Sequence, residues 1–148
     1  MNQMNFFLPM EPPTATKQEQ QSTINKAGKH VTYKPARLVE AEDKLTAALI
    51  PHIPPQKFAG PIKLEVIWLF GKNSVHAHGD WKTSKPDTDN LNKLLKDLMT
   101  QLGFWTDDAQ VVNERISKLW TGTHPGVYIS LEELPTNSGL MAEGDDAL

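Results

Sequence analysis

Residues 62–102 read IKLEVIWLF, then GKNSVHAHGDWKTSKPDT, then DNLNKLLKDLMTQL, and this stretch decides the fold. In its first part Ile62, Leu64, Val66 and Trp68 alternate with Lys63, Glu65 and Ile67 before the run turns wholly apolar at Leu69 and Phe70. Alternation followed by an apolar end predicts a strand over 62–70 with one face against a core. In its last part Leu91, Leu94, Leu95, Leu98 and Leu102 recur at helical spacing. They predict a helix over 89–102 with a single buried stripe, closed by Gly103 as its C-cap. The polar segment 71–86 between them is long for a small domain, and such loops are commonly functional or disordered.

Working outward, residues 109–120 and 127–131 predict two further strands around the turn Gly122-Thr123-His124-Pro125-Gly126. Residues 5–10 predict a first strand, stopped by Pro9 and then Pro12-Pro13. Residues 14–28, rich in Thr, Gln and Lys, are expected to form a mobile loop, and His30 to Lys34 a short strand. Pro35 suits the first turn of a helix that continues to about Ile50 through Leu38, Ala41, Leu45, Ala48 and Leu49. From Pro135 onward periodicity is lost, so 135–148 is expected to be a disordered acidic tail on a domain spanning 1–134. The expected fold class is α/β (α+β). It is a single small domain in which a mixed sheet of about five strands packs with two main helices in β-β-α-β-α-β-β order.

A chain of 148 residues, 39% of them hydrophobic, can bury one modest core. No apolar run approaches the roughly 20 residues that span a bilayer, and the N-terminus lacks the pattern of a signal peptide. A cytoplasmic location without membrane association is the expectation. The absence of cysteine excludes disulfides, zinc thiolate sites and cysteine nucleophiles. The net charge of -3 argues against nucleic acid, but its distribution does not. All 15 Lys and Arg lie at or before Lys118, whereas five of the 18 acids fall at Glu132, Glu133, Glu143, Asp145 and Asp146. Without residues 132–148 the body carries 15 basic against 13 acidic residues.

The chemistry concentrates in residues 85–110. Asp87 and Asp89 stand at the entry to the helix, and Asp107 and Asp108 follow its exit. The two pairs can meet only if the helix lies back across a strand, which burial of the leucine stripe demands. Gathered carboxylates repel one another unless a cation joins them, and hard cations such as Mg²⁺ take oxygen ligands of this kind. Lys93, four residues past Asp89, could hold a phosphate oxygen. Plainer readings stand beside these. Asp87 could be an N-cap, Asp89 and Lys93 an i,i+4 surface pair with Asp97 a further partner for Lys93, and Asp107-Asp108 a turn. His76 and His78 read as solvated loop residues, and Trp105 as a core anchor at the helix exit. Lys72, Lys82 and Lys85 become candidate phosphate contacts beside an acidic metal cluster.

Two blocks sharpen this picture: Asp87-Thr88-Asp89-Asn90-Leu91-Asn92-Lys93 and Gly103-Phe104-Trp105-Thr106-Asp107-Asp108-Ala109-Gln110. Together they resemble the RusA family of small Holliday-junction endonucleases, often carried by phages, and Phe7-Leu8-Pro9 with Pro12-Pro13 resembles that family's opening strand and turn. By position, the resemblance implies that Asp87, Asp89 and Asp108 are the catalytic, metal-holding aspartates, with Lys93 the catalytic lysine and Asp107 an accessory acid. It implies Mg²⁺ as cofactor, a four-way DNA junction as substrate, paired symmetric nicks, and a homodimer. In place of the Arg-rich stretch that some members carry, residues 80–86 hold two basic residues, Lys82 and Lys85. Two other classes compete with the nuclease: a branched-DNA-binding module that does not cut, and a metal phosphoesterase acting on nucleotides.

Overall fold

The computed structural model describes residues 2–16, 21–24 and 26–141. The element order is β1 (Gln3–Pro9), β2 (Gln21–Ile24), β3 (His30–Tyr33), α1 (Ala36–Leu49), β4 (Ile62–Gly71), α2 (Thr88–Leu102), β5 (Val111–Thr121) and β6 (Gly126–Glu133). Single 3-10 turns occupy Ile50–His52 and Asp108–Gln110.

Four strands form one mixed sheet in the order β1-β6-β4-β5. The β4–β5 pair is parallel, and β6 runs antiparallel to both β4 and β1. The parallel pair is joined through α2, since parallel strands need a long crossover and a helix supplies it. Leu64, Val66, Trp68 and Phe70 of β4 point to the face on which the helices lie. Against them pack Leu38, Leu45 and Leu49 of α1 and the α2 stripe of Leu91, Leu94, Leu95 and Leu98, to which Met99 adds. Leu102 sits at the rim, half-buried. Gly103 closes α2 with φ 87° and donates to the carbonyls of Met99 and Thr100, a left-handed cap that glycine adopts without steric cost.

The structure is a single small α+β domain, as expected, but one expected loop is in part a strand. Within 14–28, residues Gln21–Ile24 pair antiparallel with β3, so β2 and β3 form a separate two-stranded hairpin. The order is therefore β-β-β-α-β-α-β-β. The polar Gln-Ser-Thr sequence shows no alternation to read. Its pairing is supplied by the partner strand across a turn containing Gly28 at φ 77°. Of the expected tail 135–148, residues 142–148 lie outside the described residues, and the last residues seen tied to the body are Glu133 and Leu134. The Glu133 N–H donates to the Asn2 carbonyl at 2.9 Å and the Leu134 N–H to that of Pro61 at 2.7 Å. The N–H groups of Asn2, Gly60 and Ala59 surround the Glu133 carboxylate and hold its pKa below the ordinary value. Residues 137–140 make only local turns, and Leu140 and Met141 are exposed. Truncation after Leu134 should therefore leave Tm nearly unchanged. A loss of several degrees in a thermal melt would show that the tail packs on the body.

Candidate active site

The polar segment after β4 is stitched to the outer edge of β5. Lys72 N–H first extends the β4–β5 ladder by donating to the Thr121 carbonyl at 2.8 Å, and on the outer edge Gly79 N–H donates to that of Trp120 at 2.8 Å. Trp120 N–H returns a bond to the Asp80 carbonyl, and Lys82 N–H reaches that of Lys118. The Lys118 ammonium then donates to the carbonyls of Ser84 and Pro86, at 2.8 and 2.7 Å. These bonds fix the chain where it enters α2, next to Asp87. The histidines take part instead of standing free in solvent. His76 stacks on Trp120 at 4.5 Å, and His78 Nδ1 accepts from the Gly122 N–H at 3.0 Å.

Lys82 departs from the expected DNA contact. It is 8% exposed, with its ammonium over the rings of Trp120 (4.4 Å) and Phe70 (4.9 Å) and 2.7 Å from Ser84 Oγ. Burial, with Lys118 nearby, lowers its pKa from the usual lysine value. Aromatic faces attract a partly desolvated cation, so Lys82 anchors the loop and is withheld from phosphate. Lys72 and Lys85 remain exposed.

Asp87 is the N-cap residue of α2 through its backbone: its carbonyl accepts from the Leu91 N–H at 3.0 Å, while its side chain caps nothing. Asp89 lies in the first helical turn, where the helix dipole favours a negative charge. Lys93 is exposed on the next turn and forms no ion pair with Asp89, unlike the i,i+4 pair Lys44–Glu40 on α1. Among the described residues, the side chains of Asp87, Asp89, Lys93 and Asp108 carry no hydrogen bond or salt bridge. The plain readings of Asp87 as a side-chain cap and Asp89–Lys93 as a surface pair therefore do not describe this geometry.

Asp107 and Asp108 separate in role. The Asp107 carboxylate accepts from the Ala109 N–H at 2.9 Å. Gln110 Oε1 accepts in return from the N–H groups of Thr106 and Asp107, completing a capping box. Gln110 Nε2 donates to the carbonyls of Phe58 and Gly60, at 2.9 and 3.1 Å. Asp107 thus shapes the turn, Gln110 ties it to the start of β4, and Asp108 is left half-exposed with its carboxylate uncommitted. Trp105 is fully buried and donates its indole N–H to Thr100 Oγ1 at 2.7 Å, as a core anchor should.

The helix lies on the sheet, yet the two acidic pairs do not meet within the chain. α2 has 15 residues, which at 1.5 Å each is about 22 Å. A second ruler agrees: Asp87 sits at the level of Lys118, and Asp108 precedes Val111, a span of about 23 Å along an extended strand. A crossover helix carries the chain from one end of the sheet to the other, so the acids at its two ends stay apart. Among the described residues, no three His, Cys, Asp or Glu side chains gather closely enough to hold a metal ion. Asp87 and Asp89, with Lys93 beside them, are brought together; Asp108 is not.

A network missed in the sequence holds α2 at mid-length. Asn92 is 1% exposed: its side-chain carbonyl accepts from the Trp68 indole N–H at 2.8 Å, and its amide donates to Glu114 at 2.7 Å. Lys96 closes the set with a 3.0 Å ion pair to Glu114, the two side chains 22% and 24% exposed. Asn92 connects β4, α2 and β5 in one step. A polar residue inside a leucine stripe was the available signal, because buried polar groups require partners.

Residues 9–132 match the family described as endodeoxyribonuclease RusA. Over 52 residues the chain is 44% identical to the crossover junction endodeoxyribonuclease RusA of Lactococcus phage r1t, covering 35% of this chain and 40% of that protein. Over 33 residues it is 54% identical to the proteins of the same name in Escherichia coli K12 and Enterobacteria phage 82, covering 22% of this chain and 28% of each relative. These pairwise matches span less than half of each relative. No helix among the described residues is long and apolar enough to cross a membrane.

Proposed function

Since this chain belongs to the RusA family of endodeoxyribonucleases, we propose that it is a Mg²⁺-dependent, structure-selective endodeoxyribonuclease that resolves Holliday junctions by paired symmetric nicks. The observation that carries the reading is the uncommitted set at the N-terminus of α2. Asp87, Asp89 and Lys93 present two carboxylates and an ammonium on adjoining turns with no structural partner.

The donors suit a hard cation, being carboxylate oxygens without nitrogen or sulfur. Asp87 and Asp89 would hold it, and Asp108 would complete the set. When bound, the ion supplies an activated water and neutralises charge on the phosphodiester. The chain's own groups do the rest. Lys93 holds a non-bridging oxygen of the scissile phosphate and stabilises charge as the bond breaks. Lys118 and the clamped loop 80–86 hold the helix entry in place, so Asp87 and Asp89 need no reorganisation when substrate arrives.

Asp108 can join this set only from another copy, because α2 holds it about 22 Å away in its own chain. A two-fold homodimer that sets the α2 N-terminus of one protomer beside the Asp108 turn of its partner forms two identical sites. Two sites also match the two symmetric cuts of a four-way junction. The DNA substrate goes with a cytoplasmic location.

The direct test is incubation of a labelled synthetic four-way junction with the protein, with and without Mg²⁺. Paired nicks that require the metal support the reading. Tight junction binding without cleavage would favour a branched-DNA-binding module, and hydrolysis of nucleotides in preference to DNA a phosphoesterase. Lys93→Ala separates phosphate stabilisation from metal holding. Nicking should fall by about a hundredfold, while divalent-ion binding, followed by titration calorimetry, should persist. Loss of ion binding in this variant would mean that Lys93 shapes the carboxylate site itself.

A further inference from the structure

Trp81, at 68% exposure, is the most solvent-exposed Phe, Trp or Tyr of the described residues, although the backbone that bears it is among the most firmly held of the loop. It pairs across the edge with Leu119 as an antiparallel bridge. On one side the Asp80 carbonyl accepts from Trp120 N–H, and Asp80 Oδ2 accepts from the Ala77 N–H at 2.9 Å. On the other side Lys82 N–H bonds to Lys118, and its side chain is buried over Phe70 and Trp120. Neighbouring residues of an extended segment point to opposite sides. With Lys82 turned inward, Trp81 is turned outward on a clamped segment. Leaving most of an indole in water is costly, and among the described residues no hydrogen bond, ion pair or ring contact holds this side chain where it stands.

We propose that Trp81 is a nucleobase-stacking residue that engages an unpaired or unstacked base of the DNA bound at the Asp87–Asp89 site. This rests on the nuclease reading above and adds a contact to it. Three observations favour a base over a protein partner. Trp81 lies six residues before Asp87 on the same edge segment, so the two are no more than about 20 Å apart, roughly six base steps of 3.4 Å. The exposed cations Lys72 and Lys85 flank it in sequence, as suits a polyanion. The ring is held on a fixed backbone, so little ordering entropy is lost when a base stacks on it. Stacking tolerates any base, because each has a π face. Trp81 would therefore recognise the opened centre of a junction by its structure, independent of sequence.

The experiment uses the full chain as wild type, Trp81→Ala and Trp81→Phe, with a four-way junction and a duplex of the same sequence, in Ca²⁺. Trp68 and Trp105 are fully buried and Trp120 is partly buried, so all four indoles emit but a quench by stacked DNA bases reports mainly on Trp81. Junction addition should quench wild-type fluorescence, and the quench should be largely lost in both variants. Trp81→Ala should weaken junction binding about tenfold, with duplex binding and the salt dependence little changed. Trp81→Phe should restore most of the affinity. If wild type binds junctions and Trp81→Ala binds them equally well, the inference is overturned. It is equally overturned if Trp81→Ala converts a dimer to a monomer by light scattering, since the ring would then serve a protein interface. If wild type binds no junction at all, the nuclease reading itself fails and this inference goes with it.

Discussion

Asp89→Asn is expected to abolish Mg²⁺-dependent nicking of a four-way junction, with a fall of roughly two orders of magnitude or more. The change preserves side-chain size and removes the charge that would hold the cation, so water activation and charge neutralisation fail together. Asp108→Asn should do the same from the other end of α2. Junction binding in Ca²⁺ should survive in both variants, because removing a carboxylate also removes a repulsion against phosphate. The separation of the acids along α2 adds a sharper outcome. Mixing the two inactive variants under exchange conditions forms dimers carrying one chain of each. If a site takes Asp87 and Asp89 from one protomer and Asp108 from its partner, one of the two sites in a mixed dimer is fully wild type. The mixture should then regain single-strand nicking at a fraction of wild-type rate, where neither variant alone cuts. A dimeric mixture, verified by light scattering at about twice the 16.5 kDa chain mass, that stays inactive would exclude the shared site. Near wild-type nicking by Asp89→Asn alone would sink the assignment of the metal ligands.

Asn92→Ala is the substitution expected to damage the fold most for its size. It removes the only acceptor among the described residues that reaches the Trp68 indole N–H, and the amide that donates to Glu114. An N–H left buried without a partner costs about 1–3 kcal/mol, and loss of the charge-assisted bond to Glu114 adds to it. A total near 3 kcal/mol corresponds to a fall in Tm of about 10 °C for a chain of this size. Asn92→Asp tests the orientation of the amide. The carboxylate still accepts from Trp68, but it now faces Glu114, so the pair raises the pKa of one member. The variant should be strongly destabilised at neutral pH and should regain part of its stability as pH falls and one carboxyl takes a proton. A flat pH response in a series of thermal melts would show that Asn92 and Glu114 are not in contact in solution. Because this network fixes α2 against β4 and β5, both substitutions should also slow nicking without touching a metal ligand.

Much of this was readable along the chain because it rests on local periodicity. The alternation of Ile62, Leu64, Val66 and Trp68 and the spacing of Leu91, Leu94, Leu95 and Leu98 set β4 and α2 to within a residue or two. Gly103 announced the end of the helix, since few residues other than glycine take φ 87° without cost. The strand Gln21–Ile24 was not readable, because its structure comes from its partner β3 and not from its own pattern. The burial of Lys82 was hidden for a similar reason. Its ring partners, Phe70 and Trp120, lie 12 and 38 residues away, and nothing next to it in sequence records them.

The candidate site divides along the same line. The sequence by itself determined which residues are candidates for the chemistry: Asp87, Asp89 and Lys93 on adjoining helical turns, and Asp108 beside an Asp107 that forms the capping box with Gln110. Spacing of this kind is a property of three to five consecutive residues, and helix and turn geometry convert it directly into position. Only the tertiary structure decided which of these residues stand together. Burying the leucine stripe lays α2 along the sheet as the crossover between the parallel strands β4 and β5. A helix in that position runs from one end of the sheet to the other, so the same burial that orders the site also holds Asp108 about 22 Å from Asp87 within one chain.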